Sequence, residues 1–434
     1  MDKMADVLGR AGAWCGQNKY LSAIKNAFQN FMPLTIAGAI GVLWCNVLVN
    51  DQTGLGLFFK PIMALDFLNP AFQAVNFCTI SCITVGITLG IAQEIGVWNM
   101  GAEKAGYIPG LVGLAAWLSV TNTSHMVDGA KEAFTGIAGN ELGATGLFTG
   151  MIIGVLSVEL FCFFEKQDAL KIKMPEQVPP GVARAFEVLV PATITLIITA
   201  CIGSACYNLT GLYLNDVIKN GIQGPLGAVG ATIPGVMIIY LVIMLFWLVG
   251  IHGNNMLSAV KEALFTPLAL ENVEKFNKGE KPTNIINMYA LQMWGEFGGS
   301  GVTIGLVIAI MIFGKREDNK AIATLSLVPG LFNINETVTF GIPMVLNPIL
   351  GIPFVVAPLI TIIIGYVLTV IGFCPVACLT VPWTTPPIVF GFLACGANVM
   401  GAVTQAILIV VSTVIYTPFL ISYEKYQNKQ AAEA

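Results

Sequence analysis

The sequence predicts an all-α, polytopic membrane protein with about ten transmembrane helices and additional re-entrant hairpins. Of its 434 residues, 56% are hydrophobic and only 11% are charged, and the mean hydropathy is +0.77. Soluble domains carry about 25% charged residues, so a soluble fold cannot bury this much apolar surface. The net charge of −4 comes without a basic stripe, which argues against a nucleic-acid partner.

The uncharged windows of the chain have the length that a helix needs to cross a lipid bilayer, about 20 residues. In order, the expected spans are residues 26–50, 67–93, 105–127, 142–158 with an extension to 164, 188–208, 228–250, 297–314, 349–372, 379–396 and 400–422. Residues 1–25 lack the apolar core of a cleavable signal, so we interpret them as a cytoplasmic amphipathic segment. Residues 424–434 form a polar tail.

Basic residues orient these spans. The N-terminal segment and the polar stretch Glu165–Arg184 both carry several, and the positive-inside rule places both in the cytoplasm. The sixth span then returns the chain to the cytoplasm near Lys275–Lys281. A single crossing by the next apolar window would place the charged loop Lys315–Lys320 outside, against the rule. Either residues 285–314 cross the membrane twice, or this short loop is an exception.

Three apolar stretches are interrupted by helix-breaking residues. They are His252–Leu270, Leu327–Glu336 and Val381–Pro387. Irregular backbone at membrane depth is tolerated only where it is buried in protein or lines a wet cavity. Transporters build their substrate sites at such interrupted helices, so we expect the three stretches to contribute to one polar site.

Two isolated ionisable residues lie in these stretches. Glu336 is the only charged residue between Lys320 and Glu424, and His252 is the only acidic or basic residue between Lys219 and Lys261. Ionisable groups inside a membrane generally mark functional sites, which predicts that both belong to the same site. The structural alternatives are that Glu336 caps its turn and that His252 bridges helices by hydrogen bonds.

The polar residues near these two groups suit a neutral sugar. Asn254, Asn333 and Asn335 offer amides, and the Glu336 carboxylate accepts hydrogen bonds from hydroxyl groups. Trp383 offers an aromatic face for the C–H surface of a sugar, although tryptophan is also common at membrane interfaces. No cluster of Lys or Arg accompanies these residues in the sequence, which argues against an anionic substrate.

Neither a cofactor nor a metal site is predicted. Nearly all of the ten cysteines lie in apolar runs, where cysteine behaves as a small hydrophobic residue. Two cysteine pairs have i,i+4 spacing but lack His or carboxylate partners, so neither is a credible metal site. The segment Gly298–Gly301 lacks the Lys and the strand of a phosphate-binding loop, which favours close helix packing or a backbone approach to the ligand.

The string Phe332-Asn-Ile-Asn-Glu-Thr-Val-Thr-Phe-Gly-Ile-Pro-Met-Val-Leu-Asn-Pro348 resembles the signature of enzyme IIC. This is the membrane subunit of the bacterial phosphoenolpyruvate-dependent sugar phosphotransferase system (PTS), here in its lactose/cellobiose/N,N′-diacetylchitobiose branch. Four further segments resemble the same branch: Ala23–Phe28 with Met32–Gly38, Met174–Pro180, Gly250–Gly253 and Gly298–Gly301. Thr337 departs from the pattern, because the branch commonly has Pro there, and this bears on the stiffness of the hairpin.

The resemblance implies a homodimer in a bacterial inner (cytoplasmic) membrane. It implies that residues 26–208 form the dimer contact and that residues 209–423 hold the sugar between two re-entrant hairpins. His252 and Glu336 would meet the hydroxyl that becomes phosphorylated and act as the catalytic pair. Trp383 would stack on the sugar, and the loop Asn140–Gly143 would close over it, with both end residues near the substrate.

The resemblance also implies a phosphocysteine donor on a separate IIB subunit, which is itself charged from IIA. The chain ends soon after its last apolar helix, so we expect no fused IIB domain, and this favours cellobiose or N,N′-diacetylchitobiose over lactose. The alternative is a proton-coupled symporter in which Glu336 titrates and unmodified sugar is delivered. A hydrolase with His252 and Glu336 as acid and base is weaker, because no nucleophile is placed with either.

Overall fold

The computed structural model describes residues 10, 13, 14, 17–51, 55–125, 134–175, 177–342 and 344–433. Within these ranges the chain is almost entirely helical, which confirms the all-α class. The described residues contain one antiparallel strand pair, β1 (Ser124–His125) with β2 (Phe134–Thr135), in which Ser124 lies opposite Thr135.

The α-helices are numbered here in chain order. The first ten are α1 Lys19–Leu43, α2 Asn69–Cys78, α3 Ile83–Met100, α4 Ala102–Ala105, α5 Ile108–Val120, α6 Gly139–Leu142, α7 Ala144–Glu165, α8 Pro180–Thr210, α9 Leu214–Ile218 and α10 Gly224–Gly230. The others are α11 Ile233–Leu248, α12 Gly253–Met256, α13 Ser258–Asn277, α14 Met288–Gly295, α15 Ile304–Phe313, α16 Glu317–Leu331, α17 Glu336–Gly341, α18 Gly351–Val370, α19 Val389–Ala394 and α20 Val399–Glu433. Short π or 3₁₀ turns occur at Trp44–Leu48, Leu55–Leu57, Lys60–Leu68, Ile80–Cys82, Asp168–Leu170, Lys219–Gln223 and Ser300–Val302.

Several helical segments are long and apolar enough to cross a membrane. In the described part of the chain they are Lys19–Leu48, Lys60–Met100, Ala144–Glu165, Pro180–Thr210, Gly351–Val370 and Val399–Ala431. A bent pair, Met288–Val302 with Ile304–Phe313, passes the same test together, and α5 and α11 are shorter apolar helices. These segments confirm a helical, multi-pass membrane protein.

The expected span at residues 379–396 is wrong. The backbone of residues 371–388 forms no helix, and α19 covers only six residues. Pro382, Pro386 and Pro387 lack the N–H groups that a helix requires. This stretch is instead an irregular segment, as its helix breakers indicated.

The other two interrupted stretches are shorter than expected. The break at His252 is confined to the residues between α11 and α13, and α13 then runs as a helix through Leu270. The break before Glu336 begins only after Leu331, because α16 continues past Pro329. Each break therefore leaves a compact turn at its ionisable residue.

The bent pair of α14 and α15 covers most of residues 285–314. Its two parts are bent by 60° at their junction, as in a broken span or a re-entrant loop. Asn272 and Asn287, before the bend, both donate to the Ala377 carbonyl, at 3.0 and 3.1 Å. After the bend, the Lys315 N–H donates to Glu424 of α20 at 2.8 Å.

The two ends of the bent pair thus have different neighbours. The number of crossings by residues 285–314, and with it the side of the loop Lys315–Lys320, stays a prediction.

The chain divides into two compact units. The N-terminal unit comprises Gln17–Gly38 and Val75–Gly227, and the C-terminal unit comprises Ala39–Ala74 and Ala228–Ala434. The proposed halves at 26–208 and 209–423 are functional assignments and stay predictions. Much of the expected 1–25 segment lies outside the described residues, and the expected polar tail from 424 continues α20 as a helix to Glu433.

In the N-terminal unit, α3, α5, α7 and α8 pack on one another. The Thr84 hydroxyl donates to the Gly143 carbonyl at 2.7 Å, which ties α3 to the start of α7. The Glu165 carboxylate is buried and pairs with Lys104 at 2.8 Å and with Arg184 at 2.9 Å. These bonds join the ends of neighbouring helices.

The C-terminal unit has a large core formed by α11, α14, α15, α18 and α20. Its largest buried side chains are aromatic: Tyr240, Trp247, Trp294, Phe354 and Tyr416. Helices α15 and α20 approach so closely that a Cβ atom at Gly305 would lie 2.2 Å from the Ser412 hydroxyl oxygen. This core surrounds the broken segments that carry the polar site.

Replacing Asn272 by Ala should destabilise this unit. Its amide donates to the carbonyls of Asn284 and Ala377 and accepts from the N–H groups of Thr283 and Asn284. Each buried group left without a partner costs about 1–3 kcal/mol. Thermal unfolding of the purified protein should therefore show a clear drop in midpoint for Asn272→Ala. The control is Asn208→Ala, which removes an exposed hydrogen bond between Asn208 and Ser204 within α8 and should change the midpoint little. Equal midpoints for the two variants would contradict the stabilising role of Asn272.

Candidate functional site

His252 lies in the turn between α11 and α13, where it caps the short helix α12. Its Nδ1 atom accepts a hydrogen bond from the Asn255 N–H at 3.2 Å. In a neutral imidazole one nitrogen accepts and the other donates, so the proton is on Nε2. The ring packs on Trp247 with 4.4 Å between the ring centroids. These contacts fix both the orientation of the ring and the atom that it offers to a ligand.

Glu336 is the first residue of α17, where the helix dipole favours a carboxylate. Its Oε1 atom lies 3.9 Å from Nε2 of His252, and the two side chains are 48% and 38% exposed. The distance is too long for a direct hydrogen bond. A ligand hydroxyl placed beside both groups can accept from Nε2–H and donate to the carboxylate. The structure thus brings together the two ionisable groups that stand alone in the sequence.

Residues 298–301, here named the glycine loop, connect the turn of His252 with the turn of Glu336. Asn254, two residues after His252, donates to the Ser300 hydroxyl at 3.1 Å. Asn335, next to Glu336, donates to the Ser300 carbonyl at 2.7 Å. The Gly298 N–H donates to the Asn333 side-chain oxygen at 2.6 Å. Both turns are therefore attached to the same four residues.

The backbone of the glycine loop allows this close approach. Gly299 has φ +89°, and a Cβ atom there would lie 2.6 Å from the Cβ of Asn335. Only glycine avoids both the strain and the collision. The Tyr416 hydroxyl of α20 donates to the Gly301 carbonyl at 2.8 Å and anchors the far end of the loop. The loop thus makes a close backbone approach to Asn335, and the expected backbone approach to a ligand stays a prediction.

The three asparagines predicted as sugar ligands have structural roles. The Asn333 amide donates to the carbonyls of Trp383 and Thr385, the second at 3.1 Å, in addition to accepting from the loop. The described hydrogen bonds of Asn335 and Asn254 go to Ser300. The side-chain oxygen of Asn254 is buried and has no hydrogen-bond partner among the described residues. A direct contact with sugar stays a prediction for all three.

Trp383 lies in the irregular segment between α18 and α19. Its carbonyl accepts from Asn333, which ties this segment to the Glu336 turn. Its side chain is 45% exposed, unlike the tryptophans of the core. The indole is therefore accessible to a ligand, as stacking on a sugar requires, and stacking stays a prediction.

Asn140 and Gly143 belong to the N-terminal unit. Asn140 lies on the short helix α6, and its side chain is outside the part of the chain that the structure describes. Gly143 follows this helix and accepts from Thr84. The expected closure of this loop over a sugar stays a prediction.

The sequence reasoning missed three residues behind the glycine loop: Tyr240, Lys261 and Glu296. The Tyr240 hydroxyl donates to Oε1 of Glu296 at 2.7 Å, and Lys261 pairs with the same oxygen atom. In the sequence, Lys261 marks only the end of the uncharged stretch around His252, and Glu296 directly precedes the apolar window at 297–314. The available signal was the position of Glu296, two residues before a Gly-Gly-Ser-Gly sequence inside a broken span. Among the described residues no group of His, Cys, Asp or Glu is arranged to hold a metal ion.

The comparisons with known proteins all point to one family. Residues 25–358 match the family described as phosphotransferase system, EIIC. The oligo-β-mannoside-specific EIIC component of Bacillus subtilis (strain 168) is 32% identical over 98% of this chain and 94% of its own length. The cellobiose-specific EIIC component of Lactococcus lactis subsp. lactis (strain IL1403) is 29% identical over 98% of both chains.

A solved structure agrees with these relatives. The crystal structure of the transporter ChbC, the IIC component from the N,N′-diacetylchitobiose-specific phosphotransferase system, has a TM-score of 0.88 and 29% identity over 97% of each chain. The likeness covers both compact units and the site. The chain therefore belongs to the EIIC family of the phosphotransferase system, the membrane permease components of that system.

Proposed function

We propose that this permease binds a β-linked disaccharide with one hydroxyl between His252 and Glu336 and translocates it for phosphorylation by a separate IIB subunit. The observation that carries the proposal is the pair itself, with Nε2 and Oε1 3.9 Å apart and both side chains accessible. By their descriptions, the three relatives named above are specific for oligo-β-mannosides, cellobiose and N,N′-diacetylchitobiose, and all of these sugars are β-linked. Their identities to this chain are too similar to select one sugar among them.

The geometry suggests different roles for the two catalytic residues. Because Nδ1 of His252 accepts from the backbone, its Nε2–H is a donor that can orient the sugar hydroxyl. The Glu336 carboxylate is then the group that takes the hydroxyl proton as the oxygen attacks phosphorus. The O–H bond breaks, the O–P bond forms, and the S–P bond of the phosphocysteine breaks to leave a thiolate on IIB. The resemblance implies only that His252 and Glu336 act as a catalytic pair, and this arrangement favours orientation of the hydroxyl as the role of His252.

Family membership implies a sugar substrate and a IIB partner, since EIIC is the membrane component of a phosphotransferase system. We propose in addition that IIA charges IIB, that the chain works as a homodimer, and that it resides in the bacterial inner (cytoplasmic) membrane. The resemblance supports these three points. A proton-coupled symporter is not favoured, and it would deliver unmodified sugar instead of sugar phosphate.

Replacing Glu336 by Gln should impair both binding and phosphoryl transfer. A hydrogen bond to a charged group is worth about 1.5–3 kcal/mol, so sugar affinity should fall roughly tenfold or more. Loss of a general base should reduce sugar-phosphate formation at saturating sugar by about 10²–10⁴-fold. Equilibrium binding and vesicle assays with IIB measure both quantities. The control is Glu317→Gln, because the exposed Glu317 side chain pairs only with Lys320 among the salt bridges described. If Glu336→Gln kept the sugar affinity and the transfer rate of this control, Glu336 would not belong to the site.

His252→Gln should have a milder effect on the transfer step. Glutamine keeps an N–H donor for the sugar hydroxyl, so binding should stay within roughly one order of magnitude, about 1.4 kcal/mol. Because Glu336 remains as the base, sugar-phosphate formation should fall less than in Glu336→Gln. The same two assays decide the point. A larger loss of transfer in His252→Gln than in Glu336→Gln would assign the base to His252 instead.

A further inference from the structure

Tyr240, Lys261 and Glu296 form a buried polar group behind the glycine loop, here named the Lys–Glu–Tyr cluster. Tyr240 is fully buried, and Lys261 is only 6% exposed. Oε1 of Glu296 accepts from the Tyr240 hydroxyl at 2.7 Å and pairs with the Lys261 ammonium group. The same ammonium group lies 5.6 Å from the centroid of the Tyr240 ring. One carboxylate oxygen therefore joins three segments of the chain.

These three segments flank the candidate site. Tyr240 is on α11, which leads into the His252 turn, and Lys261 is on α13, which leaves it. Glu296 begins the turn that becomes the glycine loop, and its carbonyl accepts from the Gly299 N–H at 3.0 Å. The cluster thus attaches both helices beside His252 to the loop that holds Asn333 and Asn335.

Stability alone does not account for such a cluster. Removing two charges from water is unfavourable, and apolar residues of similar volume often stabilise a core as well as a buried ion pair does. What an ion pair adds is a fixed geometry, because each partner is strongly disfavoured in any arrangement that separates them. Here the geometry that it fixes is the position of the glycine loop relative to α11 and α13.

We propose that the Lys–Glu–Tyr cluster positions the glycine loop, and with it the spacing of His252 and Glu336, for phosphoryl transfer. The inference rests on the proposed function of that pair. The three residues are positioning residues, since no contact with sugar is assigned to them. Transfer requires closer alignment of reacting groups than binding does, so the cluster should affect the transfer rate more than the sugar affinity.

The test uses Lys261→Met, Glu296→Gln and the charge-reversed double variant Lys261→Glu/Glu296→Lys in the full chain. Sugar binding is measured at equilibrium with cellobiose, and sugar-phosphate formation is measured in vesicles with phosphorylated IIB. Each single variant should lower transfer at saturating sugar by about 10²-fold, the size expected for a small misplacement of reacting groups. The dissociation constant should change by less than about tenfold, corresponding to less than about 1.4 kcal/mol. The reversed pair should recover a large part of the lost rate.

Glu424→Gln provides a matched control in the same unit. Glu424 is also a buried carboxylate, at 6% exposure, and it accepts from the Lys315 N–H and the Asn319 amide. This variant should lower thermal stability without changing the transfer rate of the folded protein. A structural role for the Lys–Glu–Tyr cluster predicts the same result for its variants, which would overturn the proposal.

Two further outcomes are decisive. A parallel loss of affinity and transfer, without recovery in the reversed pair, would also overturn it. If the single charge variants do not accumulate in folded form, Tyr240→Phe decides, because it removes one hydroxyl without changing a charge. An unchanged transfer rate in Tyr240→Phe rejects the proposal, and a reduced rate at unchanged affinity supports it. Failure of the proposed function is distinct, since the wild-type chain itself would then form no sugar phosphate.

Discussion

The attachment of two separate turns to the glycine loop is the interaction on which the site depends. Asn254 holds the His252 turn to Ser300, and Asn335 holds the Glu336 turn to the same residue. Irregular backbone at membrane depth needs partners inside the protein, because lipid offers none. Asn335 and Asn333 provide such partners for the Ser300 carbonyl and the Gly298 N–H, while Asn254 bonds to the Ser300 hydroxyl, and together these bonds attach the His252 turn and the Glu336 turn to one loop. A structural requirement of the membrane is therefore met by the same bonds that build the site.

Much of this arrangement can be predicted from the sequence. Isolation of His252 and Glu336 among apolar residues marks them, because a membrane tolerates ionisable groups chiefly where they have a function. Prolines, glycines and asparagines mark the breaks, because they disfavour continuous helix. The sequence does not show how the polar atoms are shared, however. Asn333 and Asn335 satisfy backbone groups, whereas composition alone makes them equally plausible as sugar ligands.

The elements that sequence reasoning missed depend on long-range packing. Lys261 and Glu296 are separated along the chain and become partners only because α13 packs against α14, which ends just before Glu296. The window 379–396 has the hydropathy of a span, but its prolines prevent a continuous helix, and the carbonyls of Trp383 and Thr385 bond instead to Asn333. Hydropathy reports the surroundings of a segment, whereas its path depends on which partners satisfy its N–H and C=O groups.

A paired glycine substitution tests most directly whether the glycine loop assembles the site. Gly299 and Gly279 have φ +89° and +72°, so alanine strains both, but only at Gly299 would the added Cβ meet Asn335, at 2.6 Å. At Gly279 nothing lies within 4 Å. The measurement is equilibrium binding of cellobiose to Gly299→Ala and Gly279→Ala. We expect affinity to fall roughly tenfold or more, about 1.4 kcal/mol or more, in Gly299→Ala and to remain near wild type in Gly279→Ala. Equal affinities in the two variants would contradict the account.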